Sequence, residues 1–107
     1  MENRVFLGNA FSLQMLDLQK QMQVIVTPVS SNEVSNADFE SVVGHADTAA
    51  VLTDMLQRPV ACNRTNVQLQ AGDVLFVAQV TGGRLPEGAT QLPEGFSLTF
   101  LRVELAE

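Results

Sequence analysis

The chain has 107 residues, of which 46% are hydrophobic, and its formal net charge is −6. This length and composition suit one folded domain over residues 1–107 and exclude a disordered or fibrous chain. The acidic balance argues against a surface for duplex nucleic acid, so any bound anion is expected to be small and held in a local pocket.

Hydrophobic periodicity and turn residues divide the N-terminal half of the chain into predicted elements. Gly8-Asn9 ends the first apolar run, Ser12 can cap the helical pattern that follows, and Pro59 stops the best amphipathic pattern of the chain. Residues 38–43 are ambiguous. The predicted elements are a strand at residues 4–7, a short helix or helical turn at 11–18, a strand at 22–29, a loop at 30–36 and a helix at 47–57.

In the C-terminal half, apolar and polar residues begin to alternate with a period of two. Residues 66–70 and 74–80 flank the turn 71–73 and are predicted to form a hairpin whose second strand is buried. Residues 81–95 hold four glycines and form a long loop, which in a compact domain is usually functional. Residues 96–105 predict a last strand with a slip in alternation near Leu101. Two helices among about five strands predict an α/β or α+β domain with a mixed sheet.

Cellular context and cofactors are constrained by what the sequence lacks. The apolar stretches are of strand length, short of the ~20 residues that a membrane span needs, and the first residues show no signal-peptide pattern. We therefore expect a cytoplasmic protein without a membrane partner. Cys62 and the one histidine do not suffice for a zinc site in one protomer, so any chemistry is expected to need no metal or other cofactor.

His45, the only histidine, lies just ahead of the predicted helix at residues 47–57. A helix start disfavours the cationic imidazole, whereas a bound phosphodiester favours it. His45 therefore suits a general acid that protonates a leaving alkoxide. The alternative is that His45 only packs or hydrogen-bonds at the start of the helix.

Arg84 and Glu87 lie three residues apart in the glycine-rich loop. In a functional role Arg84 binds a phosphate through paired hydrogen bonds, and Glu87 orients His45 or a ribose hydroxyl. The alternative is a solvated surface pair of little energetic value.

Four further polar residues are candidate ligand contacts of lower specificity. Asn9 and Ser12 flank a strand-to-helix turn, which is a natural phosphate nest, although a turn residue and a helix cap explain them as well. Asn63 and Arg64 precede a predicted strand and would otherwise be ordinary loop residues.

In combination these segments resemble the small proteins of archaeal viruses, phages and bacteria known as type III anti-CRISPR ring nucleases. The resemblance covers nearly the whole chain. It rests on Val5-Phe6-Leu7-Gly8-Asn9-Ala10-Phe11-Ser12-Leu13-Gln14-Met15-Leu16, on Val43-Gly44-His45-Ala46-Asp47-Thr48, on Asn63-Arg64 and on Arg84-Leu85-Pro86-Glu87-Gly88.

The resemblance implies a homodimer that encloses cyclic tetra-adenylate at its two-fold interface and cuts it without metal into linear di-adenylates, which switches off type III CRISPR signalling. The ribose 2′-hydroxyl attacks the neighbouring phosphate and leaves a 2′,3′-cyclic phosphate. His45 falls on the general acid in the family's Gly-His motif, and Arg84 and Glu87 fall on the arginine and glutamate of its Arg-Leu-x-Glu-Gly motif. Asn9, Ser12, Asn63 and Arg64 fall on ligand-facing loops.

One departure from the viral pattern concerns the loop. Viral members often carry Gln before the motif arginine and Glu in place of Pro86, whereas this chain reads Gly82-Gly83-Arg84-Leu85-Pro86, a form associated with bacterial members. This difference bears on the rate of cleavage more than on binding. Two other functions stay open: a protein that sequesters the same ligand without turnover, and an acidic protein-interaction or regulatory module.

Overall fold

The computed structural model describes residues 4–106. Its elements in chain order are strand β1 (Val5–Gly8), a short 3-10 helix (Leu13–Met15), strand β2 (Gln23–Val29), helix α1 (Ser31–Asn36), strand β3 (Glu40–Ser41), helix α2 (Ala46–Leu56), strand β4 (Val74–Thr81) and strand β5 (Ser97–Ala106). The structure confirms the predicted mixed sheet with helices, an α+β fold.

The sheet has the strand order β2-β5-β4-β1-β3. β1 pairs in parallel with both β4 and β3, whereas β5 runs antiparallel to β4 and β2. β4 is therefore central, and its segment from Leu75 to Ala78 is buried throughout. This explains the continuous apolar run that predicted a buried strand.

The core has two layers, one on each face of the sheet. Leu7, Phe76 and Phe100 pack toward α1 and α2, where Leu52 is fully buried. Their sheet neighbours point to the opposite face, as side chains of successive strand residues must. The second layer comprises Phe6, Val42, Val67, Leu69, Leu75, Val77, Val103 and Leu105.

The irregular alternation of β5 does not come from a bulge. Its register against β4 is continuous, from Ser97 opposite Thr81 to Glu104 opposite Val74. Phe100 belongs to the helix-side layer and Val103 to the other layer. The apolar positions change from one face to the other near Leu101, so the slip is one of composition and not of backbone.

Residues 30–36 were expected to form a loop, and this prediction is wrong. The Ser30 hydroxyl accepts a hydrogen bond from the Glu33 amide at 3.2 Å and caps α1. Val34 is fully buried against α2, and Arg58 Nη1 donates to the carbonyls of Ser35 and Ala37 at 2.9 and 2.6 Å. One apolar residue and contacts from a distant segment stabilise this polar helix.

The predicted hairpin at residues 66–80 is also wrong in its first strand. Val67 and Leu69 are buried, as the period of two predicts, but residues 66–70 lie across the sheet face without joining it. The Leu69 amide donates to the Met15 carbonyl at 2.7 Å. Alternation reports which side chains are buried, whereas the partner of the backbone depends on the rest of the fold.

Three elements meet at the edge of the sheet where its parallel strands end. The parallel strands β1 and β4 both end there, and α2 begins beside them, because Asn9 Oδ1 accepts a hydrogen bond from the Gly44 amide at 3.2 Å. Carboxyl ends of parallel strands are the usual ligand-binding edge of such sheets. Among residues 4–106, no helix has both the length and the apolar character that crossing a membrane requires.

Candidate functional site

A cavity of about 360 Å³ opens at this edge of the sheet. Its walls come from the end of β1, the first turn of α2, the end of β4 and the loop that follows β4. The lining residues are Asn9, His45, Asp47, Thr48, Ala78, Gln79, Val80, Gly83, Arg84 and Leu85. The structure thus brings together three predicted site residues, Asn9, His45 and Arg84, from widely separated parts of the sequence.

His45 occupies the N-cap position of α2. Its carbonyl accepts the Ala49 amide at 3.0 Å, but its side chain makes no capping hydrogen bond. The imidazole is exposed and lines the cavity. The histidine therefore begins the helix through its backbone, and its ring stays available for a ligand.

His45 also lines a second cavity, of about 210 Å³. Asn9 and His45 line both cavities, and Arg64 lines the second. The Arg64 side chain passes close over Gly44, where a Cβ atom would lie 3.4 Å from Arg64 Cγ. His45 thus shares the first cavity with Arg84 and the second with Arg64.

Arg64 and Arg84 differ from the other arginines in their contacts. Arg4 pairs with Asp73, Arg102 pairs with Glu33, and Arg58 caps α1 over the Phe39 ring. Arg64 and Arg84 are exposed, and neither makes a hydrogen bond or ion pair with another residue of the described part of the chain. Their guanidinium groups are free to bind an anion.

The loop at residues 82–96 is fixed over the start of α2. The Gly88 amide donates to Asp47 Oδ1 at 2.9 Å. Glu87 is therefore carried next to the first turn of α2, although it is exposed and does not line the His45 cavity.

Two other predicted residues have structural contacts. The Ser12 hydroxyl accepts the Gln14 amide at 3.2 Å and caps the 3-10 helix. Asn63 Nδ2 donates to the Ser41 carbonyl at 2.9 Å, and the Asn63 amide donates to the Val43 carbonyl at 2.8 Å. Neither residue lines the two cavities that contain His45.

Asp47, Thr48 and Gln79 line the cavity that His45 shares with Arg84, but the sequence analysis does not predict them as site residues. Asp47 and Thr48 lie in the first turn of α2, immediately after His45, and this proximity was a usable signal. Gln79 is an exposed polar residue at the end of a buried strand, beside the loop. A polar residue that interrupts an apolar strand at the ligand-binding edge is the signal that would have found it.

No cluster of three or more His, Cys, Asp or Glu side chains that could hold a metal ion occurs within residues 4–106. The polar groups of the site are an imidazole, two guanidinium groups, side-chain amides, the Thr48 hydroxyl and the Asp47 carboxylate, of which one oxygen accepts the Gly88 amide. The imidazole, guanidinium and amide groups are those that can contact an anion. Such groups bind phosphates and other oxyanions through hydrogen bonds and charge.

Comparison with known proteins agrees with this architecture. The solved structure of B116 of Sulfolobus turreted icosahedral virus (STIV) superposes with a TM-score of 0.70 at 20% sequence identity, covering 95% of this chain and 99% of that one. At this identity the match shows a shared fold. A search of curated proteins gives no match. The family model described as STIV B116-like matches residues 5–97, and the chain therefore belongs to the STIV B116-like family.

Proposed function

We propose that this protein is a metal-independent ring nuclease that binds cyclic tetra-adenylate as a homodimer in the cytoplasm and cuts it into linear di-adenylates. The observation that carries the proposal is the placement of His45, whose side chain makes no capping hydrogen bond and shares one cavity with Arg84 and another with Arg64. Loss of the cyclic messenger would end type III CRISPR signalling.

The charge distribution favours a compact anion over an extended nucleic acid. The chain carries a net charge of −6, and half of its basic side chains are bound within the fold. Arg64 and Arg84 concentrate positive charge at one edge of the sheet. A two-fold axis at this edge would double them, so that four guanidinium groups face the four phosphates of the ring.

The proposed reaction is an internal transesterification. The ribose 2′-oxygen attacks the adjacent phosphorus and forms the 2′,3′-cyclic phosphate, while the bond from phosphorus to the 5′-oxygen breaks. His45 donates a proton to the departing 5′-oxygen, and the proton of the 2′-hydroxyl is released to solvent. Arg84 stabilises the charge that develops on the phosphate oxygens through paired hydrogen bonds.

The remaining site residues have positioning roles in this proposal. Arg64 and Asn9 hold neighbouring phosphates or ribose groups beside His45, from the second cavity that they line. Glu87, which the loop holds next to the first turn of α2, orients the attacking hydroxyl. Ser12 lies farther along, in a polar groove with Thr65 and Asn66, where it can meet a more distant part of the ring.

Family membership and motif resemblance support the same proposal. The chain shares its family with a viral protein, and its Gly44-His45 and Arg84-Leu85-Pro86-Glu87-Gly88 segments resemble the catalytic motifs of type III anti-CRISPR ring nucleases. The structure joins these two segments in one cavity.

The proposal is tested by incubating the purified protein with cyclic tetra-adenylate in excess EDTA and separating the products. The wild-type protein is expected to yield di-adenylate with a 2′,3′-cyclic phosphate end. His45→Ala is expected to bind the ligand but leave it intact, and to melt at nearly the wild-type temperature because the side chain is exposed and caps nothing. Intact ligand that co-elutes with both proteins would instead identify a sequestering protein. If the protein neither binds nor cleaves the ligand, the result would favour the protein-interaction or regulatory module.

A further inference from the structure

The loop at residues 82–96 joins the rest of the molecule at its base and at its tip. At the base, a Cβ atom on Gly82 would lie only 2.8 Å from the Gly95 carbonyl oxygen, so the two arms of the loop are in close contact. At the tip, the Gly88 amide donates to Asp47 Oδ1 at 2.9 Å. Within the described residues, this is the hydrogen bond that connects the interior of the loop to a helix.

The other hydrogen bonds of the loop interior are internal turns. The Ala89 amide donates to the Pro86 carbonyl and the Phe96 amide to the Pro93 carbonyl, each at 3.1 Å. These bonds shape the loop but do not hold it against α2. Arg84 lies between the base and the tip, so both attachments constrain the position of its backbone and hence the space that its guanidinium can reach.

Asp47 is well placed for this attachment. It is a half-buried residue in the first turn of α2, two residues after His45, and it lines the same cavity as His45 and Arg84. A carboxylate at this position commonly serves only to stabilise the helix start through its charge. Here one carboxylate oxygen accepts the amide of a residue 41 positions along the chain.

We propose that Asp47 is a positioning residue that fastens the loop to the start of α2 and thereby places Arg84 beside His45 and Glu87 next to the first turn of α2. The fastening itself follows from the contact between Asp47 and Gly88. Its consequence for cleavage rests on the proposed function. Asp47 acts through the loop and does not take part in proton transfer or phosphate binding.

Two substitutions separate this role from helix stabilisation. Asp47→Ala removes both the charge and the acceptor oxygen, whereas Asp47→Asn removes the charge but keeps an acceptor oxygen of the same reach. A role limited to the helix dipole requires the charge, so the two variants would behave alike. A fastening role requires the oxygen, so the asparagine variant would resemble the wild type.

The first measurement does not depend on nuclease activity. NMR on ¹⁵N-labelled protein follows the exchange of the Gly88 amide proton with water. In Asp47→Ala this exchange is expected to be at least about tenfold faster than in the wild type, with most of the protection restored in Asp47→Asn. Equal Gly88 exchange in all three proteins would overturn the fastening role.

The second measurement is the single-turnover cleavage of cyclic tetra-adenylate at saturating ligand. Displacing Arg84 is expected to lower this rate about tenfold or more in Asp47→Ala, with a smaller change in affinity, and Asp47→Asn is expected to recover most of the rate. Equal rates in the two variants would overturn the positioning of Arg84 and Glu87. Absence of cleavage by the wild type would overturn the proposed function, while the Gly88 exchange would still decide the fastening.

Discussion

Asp73 shows how the fold uses a charged residue away from the site. The residue is only 4% exposed, and three donors satisfy its buried carboxylate. Arg4 Nη2 donates to Oδ2 at 2.6 Å, the Gln70 amide donates to Oδ2 at 2.8 Å and the Arg4 amide donates to Oδ1 at 3.2 Å. These bonds join the start of β1 to the turn that leads into β4. Asp73 thereby fixes the register of the parallel pair that carries Asn9 to the site.

Burial by itself would raise the pKa of Asp73, but the hydrogen bonds from Arg4 and Gln70, together with the charge of Arg4, hold the pKa of this carboxyl below its usual value. A depressed folded-state pKa means that the stabilisation is complete above the usual aspartate pKa of about 4 and is lost as the pH falls through the folded value.

We therefore expect Asp73→Asn to lower the free energy of unfolding at neutral pH by about 1–3 kcal/mol, because the ionised acceptor of several donors is lost. The difference from the wild type should shrink as the pH falls below about 4, since the wild-type carboxyl is then protonated as well. Urea unfolding at several pH values measures both effects. Asp54→Asn, at an exposed site in α2, is the control. A difference that does not change with pH would contradict the assigned role.

At the same scale, the sequence identified His45 because one histidine immediately before an amphipathic pattern is visible without a structure. It did not identify Asp47 as a loop contact, because the Gly88 amide lies 41 residues away. Asn63 and Ser12 were ambiguous for a related reason. A polar loop side chain binds a ligand or the backbone according to which groups the fold brings near it. Here the Asn63 side-chain amide binds the Ser41 carbonyl, and the Ser12 hydroxyl binds the Gln14 amide.

Elements were predictable where their own residues decide the outcome. The strands at residues 23–29 and 74–81 and helix α2 are long apolar or amphipathic patterns, and each lies where its pattern predicts. Helix α1 depends on Val34, on the Ser30 cap and on Arg58 from the segment after α2. Hydrophobic periodicity does not predict a six-residue polar helix whose end is stabilised by a distant arginine.

The conformation of the glycine-rich loop depends on the close approach of its two arms at the base. Gly82 adopts φ +109°, and a Cβ atom there would lie 2.8 Å from the Gly95 carbonyl oxygen and 3.0 Å from Phe96 Cα. Gly95 also has a positive φ, of +85°, but has open space around its Cβ position. Alanine at either position is strained, whereas only alanine at 82 also collides with backbone.

We expect Gly82→Ala to lower the free energy of unfolding by about 1–2 kcal/mol more than Gly95→Ala, since the collision adds to a strain that both variants share. The displaced arm carries Arg84, so binding of cyclic tetra-adenylate should weaken in Gly82→Ala and change less in Gly95→Ala. Thermal or urea unfolding and a ligand titration measure the two effects. Equal behaviour of the two variants would mean that the arms separate at little cost.

On the scale of the whole molecule, the two faces of the sheet are covered unequally. Helices α1 and α2 cover one face. On the other, a groove of about 350 Å³ is lined by apolar side chains that include Phe11, Val77 and Leu101, and Val26 at its edge is 53% exposed. Asn9 and Gln79 line both this groove and the His45 cavity. The apolar face is therefore continuous with the proposed ligand site.

This continuity favours a second copy of the chain as the partner of the apolar face. In the proposed complex, one protomer would offer Arg64 and Arg84 to the ring of four phosphates. A two-fold axis beside the site would supply the other two guanidinium groups and would remove the apolar groove from water. The neighbouring residue Ile25 provides a matched comparison. It is 48% exposed, but it lies opposite Glu104 and points to the other face of the sheet.

We expect Val26→Lys to convert the dimer to a monomer and to weaken binding of cyclic tetra-adenylate by at least about tenfold, because a charge would have to be buried in the interface. Added positive charge near the site would by itself favour an anionic ligand, so weaker binding would report the loss of the partner and not electrostatic repulsion. Ile25→Lys should leave both the dimer and the affinity near wild type. Sedimentation velocity and a ligand titration on the three proteins measure these outcomes. A Val26→Lys protein that stays dimeric would place the interface elsewhere, and a wild-type monomer that binds the ring with full affinity would remove the need for a partner at the site.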